Sequence, residues 1–393
     1  MRLVYFADIR LPLERANGIQ TMQTCHALAV RGHDVTLIAR PDTHTPARDP
    51  FAYYDLPRHP SFRIEVAPLA GPQLARRIGY LSFALGRGLG RGRADVLFTR
   101  DLGVASMLAG VPAALRPPVV YESHGYAPQV AAELPELVAT ARPASARKVA
   151  RLDAREAVVW RAAAGYVTIT RALADLLTER FGPRDNLAAV PDGVRLPAGR
   201  EYVPPPAGGP PRVVYAGHLY AWKGVDVLLD ALARLRSVHG LIVGGHEQEP
   251  DLARVRGRIA SLGLCERVDA IGQVPPGQVA AQLARGHVLA LPNGPSATSA
   301  RFTSPLKLFE YMAAGRPIVA SDLPALREVL GDGENAILVP AGDPAALAAA
   351  IQRLIDDEAL AAALGRRAFE MAADYTWARR AERLEPVLAR AQA

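Results

Sequence analysis

Short apolar runs alternate with helically spaced stretches along the whole chain. The runs at 3–7, 35–39, 62–66, 95–99, 119–122 and 166–170 read as strands. Between them, 21–31 (closed by Gly32), 102–109, 144–163 and 172–181 carry helical patterns. Strand–helix alternation demands right-handed crossovers, and therefore a parallel sheet. The pattern then breaks. Residues 197–211, PAGREYVPPPAGGPP, hold six prolines and three glycines, which no helix or central strand tolerates. Beyond this break the alternation restarts. Strands are expected at 212–216, 240–243, 267–271, 287–291, 317–320 and 336–339, and helices at 225–236 and 251–262. An alanine-rich helical tail follows from Asp343 and ends in an amphipathic stretch after Trp377.

The pattern therefore predicts two α/β domains, 1–196 and 212–374, joined by a 197–211 linker. A cleft is expected between them, with ligands outside the carboxyl ends of the strands. A length of 393 residues agrees with two domains. Half the residues are apolar and 22% are charged, which excludes wholesale disorder. No run approaches the ~18 apolar residues of a membrane span. The opening MRLVYFADIR is interrupted by Asp8 and Arg10. It reads as a strand rather than a cleavable signal, so a cytoplasmic location is expected. Cys25 and Cys265 are the only cysteines, too few for a disulfide framework or a cysteine metal site.

Charge is unevenly spread. Residues 1–200 hold 26 Lys/Arg and 18 Asp/Glu, whereas residues 201–393 hold 20 and 21. The excess includes Arg76, Arg77, Arg87, Arg91, Arg93, Arg100, Arg142, Arg147, Lys148, Arg151, Arg155 and Arg161. Such a face suits a solvated surface or an acidic membrane. Without interleaved aromatic residues it does not suit nucleic acid.

Four segments can carry chemistry. In Thr303-Ser304-Pro305-Leu306-Lys307, Ser304 is a good helix cap and Pro305 suits the first helical position. That helix should end near Gly315 and offer its N-terminus to a diphosphate. Glu310, further along, suits a ribose diol, and Lys307 either meets a phosphate or points to solvent. In Gly217-His218-Leu219-Tyr220-Ala221-Trp222-Lys223-Gly224, a glycine loop and a lysine lie between a strand and a helix, a pattern suited to phosphate. Asn17-Gly18-Ile19-Gln20 follows the first strand but is not a dinucleotide fingerprint. Tyr121-Glu122-Ser123-His124 ends a strand, where a histidine is either a site residue or simply packed. No Asp-x-Asp, Walker A, HExxH or GxSxG occurs.

In this order the segments resemble glycosyltransferase family 4, the GT-B glycosyltransferases of group 1. Residues 18–40 are similar to the family's glycine loop, first helix and second strand. Residues 217–224 resemble its "G-R-L-x-x-x-K-G", 192–194 its "NGV", and 304–321 its "E-A-M-A-x-G-x-P-V-V-A-S". The resemblance implies two Rossmann-like domains facing a cleft, with the C-terminal helix, here 375–393, crossing back onto the first. It implies metal-free, retaining transfer from a nucleotide-sugar, with UDP favoured ahead of GDP or dTDP, and no cofactor. Donor contacts are expected from Gly18, Gly217, His218, Lys223, Arg301, Phe302, Thr303, Ser304, Pro305, Leu306, Lys307 and Glu310. His124 is expected beside the transferred sugar. Asn17, Gln20, Arg100 and Glu122 are expected toward the acceptor, which the sequence does not identify. Peripheral membrane contact through the basic half is also implied.

Two departures stand out. Phe302 replaces the first Glu of the family's E-x7-E, and His218 replaces its phosphate-binding Arg, with Arg301 or Lys307 placed to compensate. The same sequence leaves room for a nucleotide-sugar epimerase or a non-catalytic nucleotide-sugar-binding protein.

Overall fold

A computed structural model describes residues 1–68, 71–90, 94–137, 142–197, 199–206 and 208–393. The chain divides into two compact units. The first comprises 1–131, 144–193 and 377–393, and the second 132–143 and 194–376. The segment 132–143, expected in the first domain, thus belongs to the second. There Glu133 accepts hydrogen bonds from the Thr298 amide at 2.9 Å and hydroxyl at 2.6 Å. The helix Trp377–Gln392 belongs to the first unit.

The first unit is built on β1 (Arg2–Arg10), β2 (Asp34–Arg40), β3 (Phe62–Val66), β4 (Val96–Thr99), β5 (Val119–Ser123), β6 (Gly165–Thr168) and β7 (Leu187–Ala189). All are parallel, in the order β3-β2-β1-β4-β5-β6-β7. The second unit repeats the scheme with β8 (Arg212–Ala216), β9 (His239–Val243), β10 (Val268–Gly272), β11 (Val288–Leu291), β12 (Ile318–Ser321) and β13 (Ile337–Val339). Their order is β10-β9-β8-β11-β12-β13, again parallel.

Buried on both faces, the central strands such as β4, β5, β8 and β11 read as continuous apolar runs rather than alternating ones, which is why they were visible in the sequence. In the second unit Val213, Tyr215, Leu228, Leu232 and Ile351 fill one side of the sheet. Val214, Leu289, Phe309, Met312 and Ile318 fill the other. Each strand order reverses once, between β1 and β4 and between β8 and β11. Diverging crossovers open a crevice at such a reversal, at the carboxyl ends of the strands. Two crevices follow from topology alone, one per unit.

Candidate active site

In the second unit, the crevice between β8 and β11 is bordered by the loops that leave those strands. The β8 loop begins at Gly217, whose amide donates to Val243 O at 2.8 Å. It closes in a short turn, Ala221–Lys223, and Gly224. Gly224 has φ 76°, and a Cβ there would stand 1.6 Å from the Pro292 carbonyl oxygen of the β11 loop. Only glycine lets these two loops meet. Lys223 lies on this loop, its ammonium 3.5 Å from the Trp222 ring centroid. Burial brings its pKa down to about 7.

Lys307 approaches the same loop from the helix Leu306–Ala314. A Cβ on Gly217 would lie 3.4 Å from Lys307 Cδ and 3.7 Å from its Nζ. The Lys307 Nζ stands 4.1 Å from the Tyr215 ring centroid, is buried, and has no hydrogen-bond partner among the described residues. Burial, and then the charge of Lys223, push its pKa well below the usual lysine range, while Glu310 opposes them. Burial raises the Glu310 carboxyl to about 7, with Lys307 pulling the other way. Close by, Asn293 on the β11 loop is fully buried, with both amide atoms unpartnered among the described residues. A buried cation, a second cation and a buried amide without protein partners fit an anionic, polar ligand.

The helix begins one residue later than expected. Pro305 occupies the cap position, and Ser304 precedes it. Pro305 sits there with extended backbone, φ −77° and ψ 127°. Gly315 closes the helix at φ 65°. Thr303 is buried, and its hydroxyl donates to Thr298 O at 3.4 Å. Phe302 is buried beside it, whereas Arg301 is exposed at the end of the short helix Ala297–Arg301. His218 stacks on Tyr220 with ring centroids 5.2 Å apart, and its carbonyl accepts from the Tyr215 hydroxyl. Of Arg301 and Lys307, Lys307 is the one placed against Gly217.

In the first unit, the crevice between β1 and β4 gathers a hydrogen-bonded network. Glu122, on β5, is fully buried. Its Oε1 accepts from Gln20 Nε2 at 2.7 Å, from Arg380 Nη2 at 2.6 Å and from His124 Nε2 at 2.5 Å. Arg100, just after β4, donates to Gln20 Oε1 at 2.8 Å. Burial alone would raise the Glu122 carboxyl, but Arg380 and His124 override it and hold it at about 2. Burial, helped by Arg100, lowers the His124 pKa against the pull of Glu122. Asn17 accepts from the Thr21 hydroxyl at 3.3 Å.

Gly18 lies in the first turn of the helix Ala16–Val30, not in a loop before it. A Cβ there would come within 2.2 Å of the Tyr54 hydroxyl and 2.5 Å of Leu13 O. Its smallness serves that packing. Sequence reasoning missed Arg380, which is 1% exposed. The signal was present: Trp377, Arg380, Ala381, Leu384, Val387 and Leu388 form one buried face of an amphipathic helix, and an arginine on such a face needs a partner.

Two Rossmann-like parallel sheets, each with a polar crevice where its strand order reverses, define the GT-B class. Residues 18–196 match the model of glycosyltransferase family 4, and residues 210–357 match that of glycosyl transferases group 1. The chain belongs to this glycosyltransferase family. It is 31% identical over 188 residues to a D-inositol 3-phosphate glycosyltransferase of Corynebacterium diphtheriae, covering 44% of this chain and 41% of that one. Such matches span 40–48% of the length of the first curated relatives. Among solved structures, sucrose-phosphate synthase of Thermosynechococcus elongatus shares the fold, with a TM-score of 0.76 and 20% identity over 98% of this chain and 97% of that one. Anabaena HepE, solved with UDP and glucose, does so with a TM-score of 0.73 and 17% identity over 98% and 99%.

Proposed function

We propose that this protein is a retaining, metal-independent glycosyltransferase that moves a sugar from a nucleotide-sugar to a hydroxyl or amine. One observation carries this reading. Lys307 is buried against Gly217, its amine has no hydrogen-bond partner among the described residues, and it feels the charge of Lys223. A bound diphosphate would favour the charged form of both lysines, and they would stabilise it as a leaving group. The positive charge that a divalent ion supplies in other transferases is supplied here by side chains. Glu310 would accept from the ribose hydroxyls, and the backbone at Thr303 and Ser304 would approach the phosphates.

His124 would orient the sugar or the acceptor, and the acceptor hydroxyl would attack from the face that the diphosphate leaves. The bond from the anomeric carbon to phosphate oxygen breaks, and the bond to the acceptor oxygen forms. The acceptor's proton passes to the departing phosphate. HepE, the fold neighbour solved with UDP and glucose, supports UDP as the first nucleotide to test. Peripheral contact with acidic lipid through the basic first half belongs to the same reading, as does a cytoplasmic location. No described helix is long and apolar enough to cross a membrane.

The experiment is a transfer assay in EDTA with UDP-, GDP- and dTDP-sugars against mixed sugar, polyol and lipid acceptors. NMR of the product's anomeric proton reads the configuration. Transfer with retention in EDTA is the expected result. Tight nucleotide binding with conversion of the donor alone would identify an epimerase, and binding without any turnover a non-catalytic protein.

A further inference from the structure

Arg380 is a fully buried cation that reaches the first unit's crevice from the far end of the chain. Its guanidinium uses nearly all of its donors. Nε donates to Thr24 Oγ1 at 3.1 Å, Nη1 to the carbonyls of Val190 and Pro191 at 2.8 Å each, and Nη2 to Glu122 Oε1 at 2.6 Å. Asp192 Oδ1 lies 3.8 Å from Nη1. Thr24, Val190 and Pro191 hold the plane of this fork, so Nη2 meets Glu122 from a fixed position and direction. Glu122 in turn holds His124 through Nε2 at 2.5 Å. An ionised carboxylate only accepts, so Nε2 carries the hydrogen and Nδ1 is the bare acceptor. Nδ1 has no hydrogen-bond partner among the described residues.

We propose that Arg380 is a positioning residue. Through Glu122 it fixes the ring orientation and the Nε2–H tautomer of His124, so that Nδ1 faces the substrate as a hydrogen-bond acceptor. This role rests on the proposed function only for its effect on turnover; the tautomer itself is a property of the free protein. Tyr5 from β1, Gln20, Thr24 and Cys25 from the helix Ala16–Val30, Arg100 after β4, Asp192 and His124 itself surround the Glu122–Arg380 pair. Of the basic groups there, Arg380 is the one hydrogen-bonded directly to Glu122 besides His124.

The test compares wild type, Arg380→Met and Glu122→Gln with nitrogen-15 in the histidine rings. Long-range proton–nitrogen spectra assign the tautomer of His124, identified by its loss in His124→Ala. The expected result is an Nε2–H tautomer in wild type and loss of that single tautomer in both variants. Turnover should fall roughly 100-fold with the nucleotide dissociation constant unchanged. The double variant should lose no more than either single one, because both act through one histidine. Arg380→Lys keeps the charge but not the fork. It should recover only part of the turnover, and it carries the same readouts should Arg380→Met fail to fold. An Nε2–H tautomer that survives in the variants, or turnover per folded molecule that stays at the wild-type level, would overturn the proposal. A wild type that binds no nucleotide and transfers no sugar would instead remove the proposed function, while the tautomer would still decide whether Arg380 sets the ring.

Discussion

Lys307 decides the meaning of the second unit. A buried amine without a hydrogen-bond partner among the described residues destabilises the interior that holds it, so its retention points to a ligand rather than to the fold. Lys307→Met keeps the stem and removes the charge. It should raise the melting temperature of the unliganded protein by about 2 °C or more, and weaken nucleotide binding at least about tenfold. Scanning calorimetry and a binding titration read the two effects, and they should move in opposite directions. His124→Ala should do something different: turnover about 100-fold lower, with nucleotide affinity unchanged. Equal turnover in that variant would remove His124 from the site.

At the scale of elements, the loops matter more than the strands they leave. Gly224→Ala would drive a methyl group into the Pro292 carbonyl and force alanine into left-handed backbone. It should cost about 3 kcal/mol, read from the denaturant midpoint. The helix Ala146–Ala162 carries a second marker, Glu156. It is fully buried, accepts from the Tyr166 hydroxyl at 3.1 Å, and is raised by burial to about 7. The native state therefore holds this proton up to about pH 7, whereas an unfolded glutamate releases it near its ordinary value of about 4.3. Stability falls across that window as pH rises, because the fold must either keep the proton or bury a charge. Glu156→Gln should raise the melting temperature at pH 8 and leave it nearly unchanged at pH 4; equal effects at both would contradict the assignment.

The same scale shows what the sequence could and could not reveal. Strands buried on both faces are continuous apolar runs, so β1, β2, β8 and β11 were legible. β7, Leu187–Ala189, is three half-buried residues at a sheet edge and carries no such signal. The helix Ala16–Val30 starts before its expected position: Gly18, a poor helix former, is held in its first turn by packing against Leu13 and Tyr54, and Asn17 accepts from the Thr21 hydroxyl. The placement of Lys223 was legible because its glycine loop follows β8, and that of Lys307 and Glu310 because a proline and a glycine mark the two ends of their helix. Arg380 was not, because its partners lie as many as 356 residues away in sequence.

For the whole molecule, both units place polar residues at a reversal of strand order, and both do so with buried charge. The basic excess of the first half is partly spent internally. Arg77 pairs with Asp101 at 3.0 Å and Arg87 with Glu65 at 2.6 Å, and Arg380 is interior. Arg91 and Arg93 lie outside the described residues. Nucleotide, by binding the folded state alone, should stabilise the protein by an amount set by its concentration over its dissociation constant. The most direct measurement is calorimetric titration of wild type and Lys307→Met with UDP-, GDP- and dTDP-sugars in EDTA. The account predicts one nucleotide that binds wild type regardless of EDTA and binds the variant at least about tenfold more weakly. Equal affinity of the two proteins, or binding that EDTA abolishes, would contradict it.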